Sequence, residues 1–391
     1  MLISCRTMNL LVVILATLVV ATAANNATLY TVEEALEDQY IVVLKPIYTD
    51  ENIKAITRMI LDDVSGVFSG SSIRHTYTKA IKGFSATLTQ RALEKLLSRE
   101  EIEYITQDGV VRTSSVKSWG LDRIDQRYLP LDGTADFTGD GTGIHAYIID
   151  TGIYPESVYF NGRASVAFDA YREEGAEDYG IDCNGHGTHC AGIIGGDEYG
   201  VARGAKLFGV RVLNCKGSGP TSDVIAGIDY VAENGKKPAV ASMSLGGFSN
   251  KAMDNAVEGL IAAGVTVVVA AGNFDMKACS FSPARVNEAI TVGATDIDDV
   301  RADFSNYGKC VDIFAPGVNI PSAWIDGTTE TRTLSGTSMA CPFVAGAVAV
   351  ALGNARGQTP AELKQEIIED ATENVIKSVK ERSPNKLLYV P

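Results

Sequence analysis

Residues 253–273, MDNAVEGLIAAGVTVVVAAGN, carry the pattern that decides the fold. MDNAVEGLIAAG reads as a helix, and VTVVVAAGN reads as a short, continuously apolar strand that ends at Asn273. The same pairing repeats outward in both directions. HAYIIDTG (145–152), LFGVRVL (207–213), AVASMSLG (239–246) and AITVGA (289–294) are buried-strand runs. THCAGIIGG (188–196), SDVIAGIDYVAENG (222–235) and SMACPFVAGAVAVALG (338–353) are helical. Continuously apolar strands alternating with helices predict an α/β fold built on a doubly wound parallel sheet. Active sites in such sheets gather at the carboxyl ends of strands. That rule selects Asp150, Asn273 and the loop before Ser338.

Residues from about 38 to 110 read differently. QYIVVLK, IKGFSATLT and IEYITQDGVV are strands, and ENIKAITRMILDDVSG and QRALEKLLSRE are helices, the first with apolar Ile53, Ile56, Met59 and Ile60. The order β-α-β-α-β suits a small α+β unit of ferredoxin type. RTSSVKS (112–118) then breaks the periodicity as a linker. At the other end, Arg6, the apolar run LLVVILATLVVATAA (10–24) and small Ala21, Ala23 and Ala24 predict a secretory signal peptide over residues 1–24. Asn26-Ala27-Thr28 is a glycosylation sequon just beyond it. No later segment reads as long and apolar enough to cross a bilayer, so no membrane partner is expected. A formal net charge of −14, with no Lys/Arg-rich stripe, excludes nucleic acid as a partner. Export also gives the cysteines meaning. Cys5 leaves with the signal, and Cys183, Cys190, Cys215, Cys279, Cys310 and Cys341 could pair in fifteen ways.

A base working near neutral pH is most often a histidine. The four here are His75, His145, His186 and His189. His75 lies in the front unit, and His145 sits inside a strand run where a structural or surface role fits. His186 and His189 share NGHGTHCAG (184–192). A zinc reading would take His186, His189 and Cys190, with Cys183. Gly185 and Gly187 put His186 at the first turn of its helix, and no complete tetrahedral ligand set emerges. A base at a helix mouth fits better. Asp150 is then either a turn aspartate or the carboxylate that orients the base, and Ser338 either a helix cap or a nucleophile. A nucleophile benefits from the small Gly336 beside it, and the Ser338 amide and an amide side chain, Asn273, could stabilise an oxyanion. A nucleotide-binding reading rests on GDGTG (139–143), but those glycines precede their strand instead of following it.

Taken together, IIDTGI, NGHGTHCAG, SMSLGG, VVVAAGN and SGTSMACPFVAG resemble the ordered signature blocks of subtilisin-like serine peptidases of the proteinase K and aqualysin branch. The similarity runs from WGLDRIDQR (119–127) to beyond residue 350, and YIVVLK and GFSATL resemble that family's inhibitor-like propeptide. The resemblance implies a propeptide over 25–112 and a subtilisin-like peptidase domain over 113–391. It implies a Ser338 nucleophile, a His186 base, an orienting Asp150 and Asn273 as oxyanion donor, with no cofactor for catalysis. It further implies disulfides Cys183–Cys215 and Cys279–Cys310, leaving Cys190 and Cys341 free, and a structural calcium ion on Asn287, Ala289 and Asp312. Substrate would lie against Gly217, Ser218 and Gly219, which offer a strand edge. Its side chain would enter between Ser244, Leu245, Gly246 and Ala270, Ala271, Gly272, small uncharged walls suited to apolar or aromatic groups. Cys341 and Phe343 replace the threonine and histidine usual in this block. The expected protein is a secreted, monomeric endopeptidase, made as a zymogen that cleaves itself between Val111 and Ser115. Its partners are protein or peptide substrates and its own propeptide, which serves as chaperone and inhibitor. A catalytically silent binding relative is the rival expectation.

Overall fold

The computed structural model describes residues 27–31, 35–64, 72–109, 116–355 and 357–391. The expected signal peptide, 1–24, Asn26 of the sequon and the expected maturation window, 111–115, lie outside the described residues. The chain forms two compact units, Met1–Thr113 and Ser114–Pro391.

The first unit runs β1 (Thr28–Tyr30), β2 (Ala35–Leu44), α1 (Asp50–Val64), β3 (Ser72–Tyr77), β4 (Gly83–Thr87), α2 (Gln90–Leu97) and β5 (Ile102–Gly109). Its sheet has the order β1-β5-β2-β4-β3. One face buries Val42, Leu44, Phe84 and Ile105 against Ile53, Ile60, Leu93 and Leu96 of the helices. Met59, expected on the apolar face of α1, is instead 49% exposed. The sequence reading also lacks β3. This edge strand, SIRHTY, exposes five of its six residues, so it shows no apolar alternation to read.

The second unit opens with α3 (Trp119–Ile124), followed by β6 (His145–Asp150), β7 (Ala164–Asp169), α4 (His186–Gly195), β8 (Lys206–Arg211), α5 (Thr221–Asn234) and β9 (Ala239–Met243). Next come β10 (Gly247–Phe248), α6 (Lys251–Ala262), β11 (Thr266–Ala270), β12 (Phe281–Ser282), β13 (Ile290–Thr295) and β14 (Ile313–Pro316). A hairpin of β15 (Ile320–Ala323) and β16 (Thr331–Leu334) leads into α7 (Thr337–Asn354), α8 (Pro360–Asp370), β17 (Thr372–Glu373) and β18 (Lys386–Leu387). The large sheet has the order β17-β18-β14-β13-β11-β9-β6-β8-β7. From β7 to β14 every neighbouring pair is parallel.

Each central strand feeds two cores, because successive side chains point to opposite faces. In β6, Ala146 and Ile148 face α4 and α7, whereas Tyr147 and Ile149 face α5 and α6. In β11 the split is Val268 and Ala270 against Val267 and Val269. Helices on both faces make this the doubly wound α/β sheet expected. Helix α7 corrects one sequence reading: its 18 residues reach a mean hydropathy of 1.4, long and apolar enough to cross a membrane. It is instead the central core helix, with 78% of that stretch buried. The GDGTG glycines form turns with positive φ at the amino end of β6, the opposite end from Asp150, so they cradle nothing near the cleft.

Candidate active site

Asp150 is the last residue of β6 and is fully buried. The mouth of α4 is held against it by Asp182. One oxygen of that carboxylate accepts from the Asn184 and Gly185 amides and from the Thr151 hydroxyl; the other accepts from the Thr188 amide and hydroxyl. The Gly185 and Thr188 amides are orphans of the helix N-terminus, satisfied by an acceptor that precedes the helix. Gly187 allows the approach, since a Cβ there would stand 2.2 Å from the Gly152 carbonyl oxygen. The result is a hydrogen bond of 2.7 Å between His186 Nδ1 and Asp150 Oδ1. The Thr151 amide donates to the same Asp150 oxygen at 2.7 Å. Burial opposes a charge on His186, but the Asp150 carboxylate outweighs it, so the imidazole pKa is raised above its ordinary 6.5.

Ser338 stands in the first turn of α7, and Pro342 lies four residues further along. Proline has no N–H, so the Ser338 carbonyl loses its helical donor. Two side chains replace it: Ser244 Oγ donates at 2.8 Å and the Cys190 thiol at 3.4 Å. Cys190 is therefore a neutral hydrogen-bond donor whose thiol burial pushes far up, not a thiolate. In this resting arrangement the Ser338 hydroxyl donates to the Ser244 carbonyl at 3.1 Å. Cys341 is buried, with its Sγ 3.5 Å from Ser242 Oγ, and burial pushes its pKa up to about 11. Phe343 is buried against Gly120 of α3, where a Cβ would meet the ring at 2.5 Å.

Asn273 follows β11. Its Oδ1 accepts from the Thr337 amide at 2.8 Å and the Thr337 hydroxyl at 2.9 Å. That fixes the amide orientation and leaves Nδ2 as a donor beside the first turn of α7. Thr337 Oγ1 also accepts from the Gly272 amide at 3.1 Å. Two cavities meet at Ser338. One, of about 510 Å³, is lined by His186, Ser338, Gly217, Ser218, Gly219, Ser244, Leu245 and Gly246. The other, of about 240 Å³, is lined by Ser338, Asn273, Ser244, Leu245, Gly246, Ala270, Ala271 and Gly272. Phe274, Phe281 and Ala284 complete its wall, and the rings of Phe274 and Phe281 stack with centroids 5.3 Å apart. Residues 217–219 belong to a turn closed by Gly217 N→Asn214 O and Asn214 N→Ser218 O, not to a regular strand. Sequence reasoning missed Asp182, Thr337 and the phenylalanine pair. Only the Asp182–Asn184 spacing before the helix start could have signalled a cap.

The chain forms the disulfides Cys183–Cys215 and Cys279–Cys310, with Cys190 and Cys341 free. The first ties the entry of α4 to the segment after β8. His189 is buried and uses Nε2 against the Ile320 and Arg332 carbonyls, so it serves the β15–β16 hairpin. His145 is half-buried with Nδ1 3.3 Å from the Pro238 carbonyl, a structural place. The zinc reading fails on geometry. Cys183 is in a disulfide, His189 is turned to carbonyls, and the Asp150–His186 hydrogen bond already uses the facing atoms of that pair.

The calcium expectation needs correction. The Asn287 and Ala289 carbonyls and the Asp312 carboxylate do converge, but on the ammonium of Lys364, at 2.7, 2.7 and 2.9 Å. Calcium takes six to eight oxygens at roughly 2.3–2.6 Å. An ion on these three atoms would overlap Nζ and face its charge, so the residues present do not fit the metal.

Comparison with known proteins places this geometry in a family. Residues 141–386 match the subtilase family (peptidase S8), and residues 39–114 match peptidase inhibitor I9. The chain is 47% identical over 374 residues to an extracellular serine proteinase of Thermus sp. (strain Rt41A), covering 92% of this chain and 90% of the relative. It is 43% identical over 368 residues to alkaline serine exoprotease A of Vibrio alginolyticus, covering 91% of this chain and 68% of that one. A crystal structure of a cold adapted subtilisin-like serine proteinase is 50% identical, covers 70% of this chain and 98% of its own, and has a TM-score of 0.68. The chain belongs to the subtilase family: it is a subtilisin-like serine endopeptidase preceded by an I9-type propeptide unit.

Proposed function

We propose that Ser338 is the nucleophile of this peptidase, His186 its general base and acid, Asp150 the orienting carboxylate, and Asn273 Nδ2 with the Ser338 amide the oxyanion donors. The observation that carries this reading is the 2.7 Å Asp150–His186 hydrogen bond at a cleft that Ser338 also lines. The Ser338 hydroxyl turns from the Ser244 carbonyl to His186 Nε2 and attacks the substrate carbonyl carbon as the imidazole takes its proton. Asp150 holds Nδ1–H and balances the imidazolium. Negative charge on the carbonyl oxygen meets Asn273 Nδ2 and a helix-terminal amide, both fixed beforehand. His186 then protonates the departing amine, and water repeats the sequence on the acyl-enzyme.

Substrate backbone lies along 217–219, and the side chain before the scissile bond enters the cavity of about 240 Å³. Its alanine and glycine walls and its Phe274–Phe281 pair favour an apolar or aromatic side chain. The protein is a secreted monomer: residues 1–24 direct export, 25–112 are the propeptide, and 113–391 the mature enzyme, released by self-cleavage within Val111–Ser115. The names of the extracellular relatives support the export step.

The decisive experiment compares wild type and Ser338→Ala by N-terminal sequencing of the secreted product and by hydrolysis of fluorogenic peptides. Wild type should begin near Thr113 and cleave after apolar or aromatic residues. The alanine form should keep its propeptide and fall in turnover by about 10⁶. An alanine form that matures alone would overturn self-processing, and one that retains turnover would overturn the nucleophile.

A further inference from the structure

We propose that the ammonium of Lys364 is the resident cation of the cradle formed by Asn287, Ala289 and Asp312, and that it keeps divalent metal out of that cradle. An ammonium has three N–H donors, and here each has one oxygen: the Asn287 carbonyl, the Ala289 carbonyl and Asp312 Oδ1. The second carboxylate oxygen of Asp312 is already held by the Thr291 amide at 2.9 Å. The cradle offers one negative charge. The ammonium neutralises it in a site only about one-fifth exposed (Lys364 17%, Asp312 22%), so a divalent ion could enter only by displacing Nζ.

The lysine is also delivered by a rigid element. Helix α8 starts with a Thr359–Glu362 capping box and buries Leu363 and Ile367 on either side of Lys364 in sequence. The side chain therefore reaches the cradle from a fixed backbone. It ties α8 to the segment 287–289, which continues from Ala284 in the wall of the substrate cavity. The lysine thus gives this cradle a covalently attached cation, present without any metal in the medium.

The test counts calcium bound per chain by equilibrium dialysis and follows melting with calcium or a chelator. The full secreted protein is used, blocked with a serine-directed sulfonyl fluoride against autolysis. Lys364→Ala should bind one more calcium than wild type. In chelator it should melt about 3–5 °C lower than wild type, a loss that calcium reverses. Lys364→Gln, which keeps part of the stem and two donors without the charge, covers the case in which the alanine form does not fold. Asp312→Asn in the wild-type background should leave the calcium count unchanged. Equal counts in wild type and both Lys364 variants would overturn the proposal, as would loss of one bound ion on Asp312→Asn.

Discussion

His186 sits between opposed influences, burial lowering its affinity for a proton and the Asp150 carboxylate raising it, with the carboxylate prevailing. In its proposed role as base His186 must be neutral to act, so the raised value has a kinetic consequence. The acid limb of kcat/KM should have its midpoint above pH 6.5, with activity lost as pH falls through it. Asp150→Asn should lower kcat by about 10⁴ and move that limb down. A pH–rate profile of both proteins checks it, and an unmoved limb would remove Asp150 as the cause. At this scale the four residues proposed to react were legible because each ends an apolar run or opens a helix: Asp150 after AYII, Asn273 after VVVAAG, His186 and Ser338 at glycine-flanked mouths. Asp182 and Thr337 were not. Thr337 meets Asn273 across 64 residues of sequence, which no local pattern encodes, and the bond from Thr151 to Asp182 spans 31. Only the Asp182 contacts to Asn184, Gly185 and Thr188 are local enough to signal a cap. Lys364 was hidden for a related reason, because a lysine in PAELKQEIIED reads as a solvated helix face.

Among the elements, α4 depends on its neighbours: its N-terminus carries His186, the proposed base, and its amides are capped by Asp182, a side chain outside the helix. The Cys183–Cys215 disulfide, 32 residues apart in sequence, fastens the chain just before that mouth to the segment leading to 217–219. Closing a loop of this length is worth about 3–4 kcal/mol in the chain-entropy picture. The double variant Cys183→Ser/Cys215→Ser should therefore melt about 6–10 °C lower, read by calorimetry on the inhibited enzyme. A shift below 2 °C would mean that the Asp182 network alone holds the rim. The elements differed in legibility. Strands β9, β11 and β13 are wholly buried and read as nearly continuous apolar runs. Strand β7 is half-buried along most of its length, and β14 has only four residues, so neither offered a period long enough to recognise. In the first unit β3 failed for the opposite reason, being almost wholly exposed.

For the molecule as a whole, His189 sets an acid limit. Burial lowers its pKa from 6.5 to about 4, so between those values the unfolded chain holds a proton that the folded chain refuses. Its contribution to stability is complete above about pH 6.5 and is lost as pH falls toward 4, at up to about 1.4 kcal/mol per pH unit. Unfolding free energies from urea titrations of the inhibited enzyme should fall from pH 7 to 4.5 with up to that slope. His189→Gln should flatten the fall, and an equal slope in both proteins would assign the loss elsewhere. A second whole-molecule consequence comes from α7. The helix that presents Ser338 is also the one around which the larger core is assembled, with Val344, Ala345 and Val348 wholly enclosed. Many enzymes keep their reactive groups on loops that loosen before the scaffold does, and so lose turnover while still folded. Here Ser338, the proposed nucleophile, has no such early exit. Heat should silence this peptidase and melt it in one event, leaving little of an intact but idle form between.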